Sequence, residues 1–209
     1  MILDLHTHLP GPRPQAIISC SPFEIPEEGE FKGQLYSVGI HPWNVKITGL
    51  SLSDKAALAA AAMRPDVVAI GETGIDLQHP GAAPLFAQML AFKAHVELSE
   101  RLEKPLIIHS VKAQDMIIGV RKDMGAKMPW IIHGFRGKPT VADMYLKAGI
   151  GVSFGEKFNA ESLMTVPLDM IFAETDESTL TIEEIIAALT AVRPEVSPEL
   201  IAENIKNLL

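Results

Sequence analysis

The chain has 209 residues, of which 47% are hydrophobic, and a formal net charge of −8 at pH 7. This length fits one barrel of roughly 200–250 residues, so we expect a single domain over residues 1–209. The acidic balance argues against broad, non-specific nucleic-acid binding, although it leaves room for a small positive site. With no signal-peptide pattern and no apolar stretch near the roughly 20 residues of a membrane span, we expect a cytoplasmic protein without membrane association. The sequence indicates no obligate protein partner.

The first part of the chain predicts three strands joined by links that are not helical. Residues 2–8, 16–20 and 35–40 are short apolar runs, which indicate buried strands. Residues 9–15 and 21–33 are rich in proline and glycine, which excludes a regular helix from either link. The single cysteine, Cys20, excludes a disulfide within the chain and is interpreted as a core thiol.

From residue 52 onward, predicted helices alternate with predicted strands. The strands are expected at residues 67–71, 105–108, 129–132, 150–154 and 168–173. The helices are expected at residues 52–64, 84–102, 112–124, 140–148, 181–191 and 197–209. Pro84 suits the first turn of its helix. The expected N-caps are Ser53, Thr181 and Ser197. The apolar stripe of the second helix is expected to consist of Leu85, Met89, Phe92 and Val96.

Eight buried strands, most of them separated by helices, predict a (β/α)8 TIM-like barrel that lacks its first one or two outer helices. A doubly wound open sheet is the alternative, but the chain has no glycine-rich motif that would support a nucleotide-binding version of it. Parallel strands are usually joined through a helix, so the first two crossovers are irregular. Even fully extended, at roughly 3.3 Å per residue, residues 9–15 are only just long enough to carry the chain from the end of the first strand back to the start of a parallel second strand.

Side chains that bind metals follow six of the predicted strands, at the end where barrels of this kind build their sites. They are His6, His8, His41, Glu72, His109, His133 and Asp176. A single histidine or carboxylate at the end of a strand more often has a structural role than a metal-binding one. Seven such residues at the ends of six strands are much harder to explain by chance. The two remaining histidines, His79 in a loop and His95 on a helix, are assigned no role.

The residue types indicate borderline transition metals rather than Mg²⁺ alone, which prefers oxygen ligands. Six ligands are too many for one tetrahedral ion, but they suit two divalent ions bridged by a carboxylate. Two such ions with Glu72 and Asp176 would carry about two net positive charges, which would attract a phosphate or another anion.

These residues lie in motifs that resemble the TatD-type metal-dependent hydrolases, a family of amidohydrolase-like metal-dependent barrels. The resemblance extends over nearly the whole chain. The motifs are Asp4-x-His6-x-His8, Gly39-Ile40-His41-Pro42, Gly71-Glu72-Thr73-Gly74-Ile75-Asp76, Ile107-Ile108-His109-Ser110, His133-Gly134-Phe135-x-Gly137, Glu174-Thr175-Asp176 and Asn204.

The resemblance implies a TIM-like barrel with two divalent metal ions (Zn, Mn or Mg) that hydrolyses phosphodiesters at DNA ends as a deoxyribonuclease. It implies that His6, His8, Glu72 and Asp176 bind one ion. Glu72 would bridge to a second ion bound by His109 and His133. Glu72 and Asp176 are the expected catalytic residues, with Asp176 orienting the attacking water or taking its proton.

For the substrate, the resemblance implies that His41 faces a phosphate. An aromatic residue that members often carry is replaced by Leu77, and an arginine usual after the Ile-His-Ser motif is missing, although Lys112 lies close. Arg136 and Lys138 follow His133, and they are predicted to contact an anionic substrate group instead, with solvated loop charges as the equally weighted alternative. Asp76 is expected to support the Glu72 loop or a metal ligand rather than to bind a metal ion itself.

DNA or a small phosphoester is the expected substrate. Two alternatives remain open: hydrolysis of a small amide or lactone by the same metals, and an inactive, metal-stabilised relative.

Overall fold

The computed structural model describes residues 1–209 and contains eight parallel strands in one sheet, paired in the order in which they occur in the chain. The strands are β1 (Asp4–Thr7), β2 (Ala16–Cys20), β3 (Leu35–Val38), β4 (Val67–Asp76), β5 (Leu106–Val111), β6 (Trp130–Ile132), β7 (Ile150–Phe154) and β8 (Ile171–Ala173). The helices are α1 (Leu52–Ala62), α2 (Leu85–Leu102), α3 (Gln114–Met124), α4 (Pro139–Lys147), α5 (Ala160–Thr165), α6 (Ile182–Val192) and α7 (Pro198–Leu208). Short 3₁₀ helices lie at Pro42–Asn44 and Leu168–Met170.

The sheet forms a nearly closed barrel, which confirms the predicted fold class. The first and last strands meet through a single parallel bridge between Thr7 and Asp176. The backbone N–H of Asp176 donates to the carbonyl of His6 at 2.9 Å, and the N–H of His8 donates to the carbonyl of Asp176 at 3.1 Å. The barrel is therefore closed at the end where the candidate site residues lie.

The first two crossovers contain no helix, as predicted, and a buried glutamine connects the strands there instead. The Gln34 amide nitrogen donates to the carbonyls of Ala16 and Leu35, both at 2.9 Å. Its oxygen accepts the backbone N–H of Arg13 at 2.6 Å. One side chain thus connects the first link to the starts of β2 and β3, where an outer helix would otherwise cover the strands.

The loop between β2 and β3 is tied to the body of the protein through Arg64. Its guanidinium forms two hydrogen bonds with Asp66, at 2.6 and 2.9 Å, and donates to the carbonyl of Pro26 at 2.6 Å. It also lies 5.9 Å from the centre of the Tyr36 ring. Because Arg64 follows α1, the first outer helix of the barrel also anchors this loop.

Several details differ from the sequence-based expectations. The N-cap of α1 is Ser51 rather than Ser53, because Asp54 at the third helical position completes a capping box with Ser51. Pro84 is the N-cap residue of α2 rather than part of its first turn, and Leu85 is exposed. The buried face of α2 is instead shifted toward Gln88, Phe92 and His95.

The short helix α5 was not predicted, whereas the N-caps Thr181 and Ser197 are confirmed. Cys20 is only partly buried, although it packs against the core as expected. Its burial raises the pKa of the thiol to about 11. No helix is both long enough and apolar enough to cross a membrane.

Candidate metal centre

Glu72 is the hub of the candidate site. Its carboxylate is buried in β4, and five histidines from four segments of the chain point at its two oxygens. The nitrogen–oxygen distances to Oε1 are 2.7 Å for His133, 2.8 Å for His109 and 3.1 Å for His41. The distances to Oε2 are 2.9 Å for His8 and 3.4 Å for His6. The structure therefore brings together all five histidines that the sequence placed at strand ends.

Close backbone contacts fix the position of Glu72. A Cβ atom on Gly39 would collide with the backbone of Gly71 and with the carbonyl of Glu72, so only glycine permits this approach of the β3–α1 link to β4. Gly74 has φ +148°, and a Cβ atom there would collide with the carbonyl of His109. These glycines explain how Glu72 and His109 come close together on neighbouring strands.

His6 provides a test of whether a metal fits this site. Its side chain is 0% exposed, and neither ring nitrogen has a hydrogen-bond partner. Burial lowers the pKa of His6, which keeps the imidazole neutral, the form that binds metals. A buried polar group without a partner costs about 1–3 kcal/mol, and a metal–nitrogen bond would remove that cost. The donor set therefore fits a divalent transition metal.

Three groups of side chains have one ligand atom each within 4.8 Å of the others. The groups are His6–His133–Asp176, His6–His8–Glu72 and His41–Glu72–His109. This grouping differs in two respects from the one that the resemblance implies. His133 lies with His6 and Asp176, and His41 lies beside Glu72 among the possible ligands rather than at a distance from them.

Asp176 lies between the centre and the solvent. Its side chain is 28% exposed, and Oδ1 is 4.0 Å from His6 Nε2. Its backbone has φ +52°, a left-handed conformation that Asp and Asn tolerate better than most residues. The turn needed to close the barrel against β1 therefore also aims this carboxylate at His6.

Protonation of the site is governed by burial and by the charges around Glu72. Burial raises the pKa of the Glu72 carboxyl, but the charge of His133 and the surrounding histidine hydrogen bonds outweigh it and hold that pKa well below its usual range. Burial lowers the pKa of His133, but the carboxylates of Glu72 and Glu174 hold it well above its usual range. A bound cation would replace the proton on His133, so metal binding should release protons.

Asp76 supports His109, consistent with the supporting role expected from the sequence. Its Oδ2 lies 3.1 Å from His109 Nε2 and accepts the indole N–H of Trp43 at 2.8 Å. Its Oδ1 accepts the backbone N–H groups of Gln78 and His79 at 2.8 and 2.9 Å. Burial raises the pKa of Asp76, but these hydrogen bonds outweigh it and lower the pKa to about 2.

Sequence reasoning assigned no role to two buried carboxylates that it had quoted only within motifs. Glu174 is completely buried, and its Oε1 lies 3.4 Å from His133 Nδ1 while accepting the backbone N–H of Gly134. Asp4 accepts hydrogen bonds from the backbone and hydroxyl of Thr175 at 3.0 and 2.6 Å. Burial raises the pKa of Asp4 to about 7. Their positions in the motifs beside His6 and Asp176 were the only available signal.

The two predicted substrate-binding cations lie in different surroundings. Arg136 is exposed and lines a polar recess of about 210 Å³ together with Asp176 and Lys157. Lys138 is also exposed, but it is the N-cap residue of α4 and does not line that recess. A second recess, of about 280 Å³, is lined in part by Glu72, His8 and His41.

Comparison with known proteins identifies the family. The family model described as TatD related DNase matches residues 24–208. The metal-dependent hydrolase TatD of Mycobacterium tuberculosis is 31% identical over 164 residues, which cover 73% of this chain and 61% of that protein. The 3′-5′ ssDNA/RNA exonuclease TatD of a Rahnella strain is 27% identical over 154 residues, which cover 67% of this chain and 56% of that protein.

Among solved structures, the TatD homolog YJJV of Escherichia coli superposes with a TM-score of 0.84 at 18% identity, covering 100% of this chain and 97% of that chain. The matched regions span only 48% to 63% of the length of the first curated relatives. The family-model match begins at residue 24 and therefore does not include His6 and His8. This pair is assigned to the site from the structure, because both rings lie close to Glu72. By its sequence match and its barrel, the chain belongs to the TatD-related DNase family.

Proposed function

We propose that this chain hydrolyses phosphodiester bonds at the ends of nucleic acids, using two divalent cations. The observation that carries the proposal is the buried Glu72 carboxylate, with five histidine nitrogens within 3.4 Å of its oxygens and Asp176 at the open side. We also propose that residues 1–209 act as one domain, because the candidate ligands come from both ends of the chain and meet in one barrel.

In this proposal, one cation would be held by His6, His8, Glu72 and Asp176, and a second cation would be held by Glu72, His109 and His133. His41 faces the substrate phosphate, although its distance of 3.1 Å from Glu72 would also allow it to bind the second cation. When bound, such ions polarise phosphoryl oxygens and activate water.

The side chains of the chain supply the remaining steps. The partly exposed Asp176 orients the attacking water and accepts its proton, a role that requires a carboxylate within reach of both the centre and the solvent. Asp76 fixes the ring of His109, and Glu174 faces the second nitrogen of His133. Such partners keep imidazoles oriented for a metal.

The nature of the substrate is supported by charge and by the relatives. A dinuclear centre with two carboxylates carries net positive charge inside an acidic protein, which attracts an anion to one point. Arg136, in the recess beside Asp176, would contact a second phosphate, and Lys138 would add a more distant charge. One relative is described as an exonuclease on single-stranded DNA and RNA. Phosphodiester ends are therefore the substrate class that we propose.

The test combines metal analysis with assays of hydrolysis. The purified protein is analysed for bound metal and assayed on bis-p-nitrophenyl phosphate and on end-labelled single-stranded DNA with Mg²⁺, Mn²⁺ or Zn²⁺. We expect two bound ions, hydrolysis of both substrates, and loss of both properties in a His6→Ala/Glu72→Ala double variant. Glu203→Gln, at an exposed carboxylate on α7 that lines neither recess beside the centre, is the matched control and should behave as the wild type.

Two results would contradict the proposal. Full hydrolysis by the double variant would show that these residues are not the ligands. Two bound ions without hydrolysis of any phosphoester would overturn the phosphodiesterase assignment and lead to assays with amides and lactones. For Arg136, the expected result is that Arg136→Ala raises KM for the DNA substrate, and an unchanged KM would remove it from the substrate site.

A further inference from the structure

One aromatic side chain at the mouth of the barrel is exposed without packing into the core. Trp43 lies in the 3₁₀ helix that directly follows His41, and its side chain is 46% exposed. The other tryptophan, Trp130, is 0% exposed in the core. Leaving a large apolar ring in water is costly, which makes a half-exposed tryptophan beside a candidate site a sign of a binding surface.

The indole is held in place rather than free to rotate. Its N–H donates to Asp76 Oδ2 at 2.8 Å, and the same oxygen lies 3.1 Å from His109 Nε2. The ring of His79 stacks against the indole with a centroid distance of 4.0 Å and an interplanar angle of 19°. Asp76 also accepts the backbone N–H of His79, so one carboxylate positions both members of the stack.

Part of the indole stays exposed beside these contacts. His79 covers one face, Asp76 engages the N–H edge, and the His41 ring lies 4.7 Å from the Trp43 ring centre at an angle of 81°, yet 46% of the side chain is exposed. The Trp43 ring centre lies 5.9 Å from that of His109, in the candidate centre. A flat ring stacked on the exposed part of the indole would therefore belong to the nucleotide whose phosphate lies at the centre.

We propose that Trp43, backed by His79, is the platform on which the terminal nucleobase of the substrate stacks. This inference rests on the proposed phosphodiesterase function. Trp43 would thus compensate for the missing aromatic residue at the position of Leu77. Stacking on an aromatic side chain tolerates any base, because every base has a π face, and it contributes roughly 5- to 150-fold in binding. The platform would therefore require a terminal base in the substrate but would not distinguish one base from another.

The decisive experiment compares two substrates that differ only in the terminal base. One is a short single-stranded oligonucleotide with a normal terminal nucleotide, and the other carries an abasic tetrahydrofuran residue at that position. For the wild type, we expect kcat/KM to be at least 5-fold higher with the base present. For Trp43→Leu the ratio should fall to about one, and for Trp43→Phe, which keeps a ring, most of the ratio should remain.

The ratio separates stacking from a structural role. If Trp43 only holds Asp76, its replacement lowers hydrolysis of both oligonucleotides equally and leaves the ratio unchanged, which would overturn the proposal. His79→Ala, which keeps the indole but removes its support, should lower the ratio partially. Phe86→Leu, an exposed aromatic on α2 outside both recesses, is the matched control and should leave the ratio as in the wild type.

A second readout does not depend on catalysis. Because Trp130 is buried, quenching of tryptophan fluorescence by a thymidine dinucleotide reports on Trp43, and it is measured in chelator-treated protein. Saturable quenching supports the platform, and its absence contradicts it. If the wild type cleaves both oligonucleotides equally well, the platform is wrong and the proposed function stands. If it cleaves no phosphodiester at all, the proposed function fails, and the quenching experiment alone decides whether Trp43 binds bases.

Discussion

The buried histidine on α2 leads to a prediction about stability in acid. His95 accepts the backbone N–H of Ile40 at its Nε2, at 3.0 Å, and its Nδ1 lies 2.8 Å from the carbonyl of Ala91. Because the N–H can only donate and the carbonyl can only accept, the hydrogen atom must be on Nδ1 and the ring must be neutral. Protonation would turn Nε2 into a second donor facing the N–H of Ile40.

The magnitude follows from the pKa. Burial lowers the pKa of His95 to about 4 from 6.5. Between pH 6.5 and pH 4, His95 is protonated in the unfolded chain but stays neutral in the folded protein, so the free energy of unfolding falls as the pH falls. The contribution is fully present above pH 6.5 and is lost progressively toward pH 4. The complete loss is about 3 kcal/mol, and about 2 kcal/mol of it occurs between pH 7 and pH 5.

The assay is urea unfolding of the wild type and of His95→Gln at pH 7 and pH 5, with chelator present throughout. Glutamine keeps an oxygen that can accept the Ile40 N–H but does not titrate. The stability advantage of the wild type over the variant should therefore shrink by about 2 kcal/mol at pH 5. His95→Leu, which leaves that N–H without a partner, should cost a further 1–3 kcal/mol or so at pH 7. A wild-type advantage that is the same at both pH values would refute the reasoning.

Three further predictions concern backbone geometry. Gly39→Ala should displace the backbone at Glu72 and lower metal content and hydrolysis together, as measured by elemental analysis and the phosphodiester assay. Ser51→Ala should lower the free energy of unfolding in urea by about 1 kcal/mol, whereas Ser53→Ala should change it little, because only Ser51 caps α1. Asp176→Ala should be about 1 kcal/mol less stable in urea than Asp176→Asn, because asparagine tolerates the left-handed backbone, although both should lose hydrolysis.

Most of the fold could be predicted because strands of a parallel barrel are buried on both faces and are therefore apolar along their length. β2 and β7 were predicted residue for residue. The absence of helices from the first two crossovers could be predicted because the prolines and glycines in these links are incompatible with a regular helix. The six-residue helix α5 could not, since a segment that short shows no helical period. Ser51 and Ser53 are both possible N-caps of α1 by residue type. Only Ser51 lies where the Asp54 side chain can accept its backbone N–H and complete the capping box, and this position is known only from the structure.

The candidate site was predictable to the extent that strand ends converge. The sequence predicted that His6, Glu72 and His133 lie at the same end of the barrel, because each residue is at the C-terminal end of its strand, and the structure places them together. It could not identify the contacts that hold them, because these join residues distant in the chain. His95 reaches Ile40 only once α2 is packed against the barrel, and Trp43 reaches Asp76 only once its 3₁₀ helix lies against β4. Such supporting contacts depend on packing rather than on any local pattern.

The least ordinary part of the barrel is the seam between β1 and β8, where His6 and His8 must be held without a crossover helix between β1 and β2. Thr175 joins the seam through one hydroxyl, which lies 2.6 Å from Asp4 Oδ2 and 2.8 Å from Thr7 Oγ1. Thr175→Val keeps the shape but leaves the buried Asp4 carboxylate short of a partner. We expect a loss of about 1–3 kcal/mol in urea unfolding and weaker metal binding.

Thr73 offers a matched control for this prediction. It is buried like Thr175, but its hydroxyl has no hydrogen-bond partner, so Thr73→Val should be neutral or slightly stabilising. If Thr175→Val were no more destabilising than Thr73→Val, the hydroxyl of Thr175 would not be what holds the seam. The remaining supports of His6 and His8 would then include the hydrogen bond from the His6 N–H to Asp4 and the backbone bonds that both residues share with Asp176. The placement of the first ligand pair would in that case depend on Asp4 and on barrel closure.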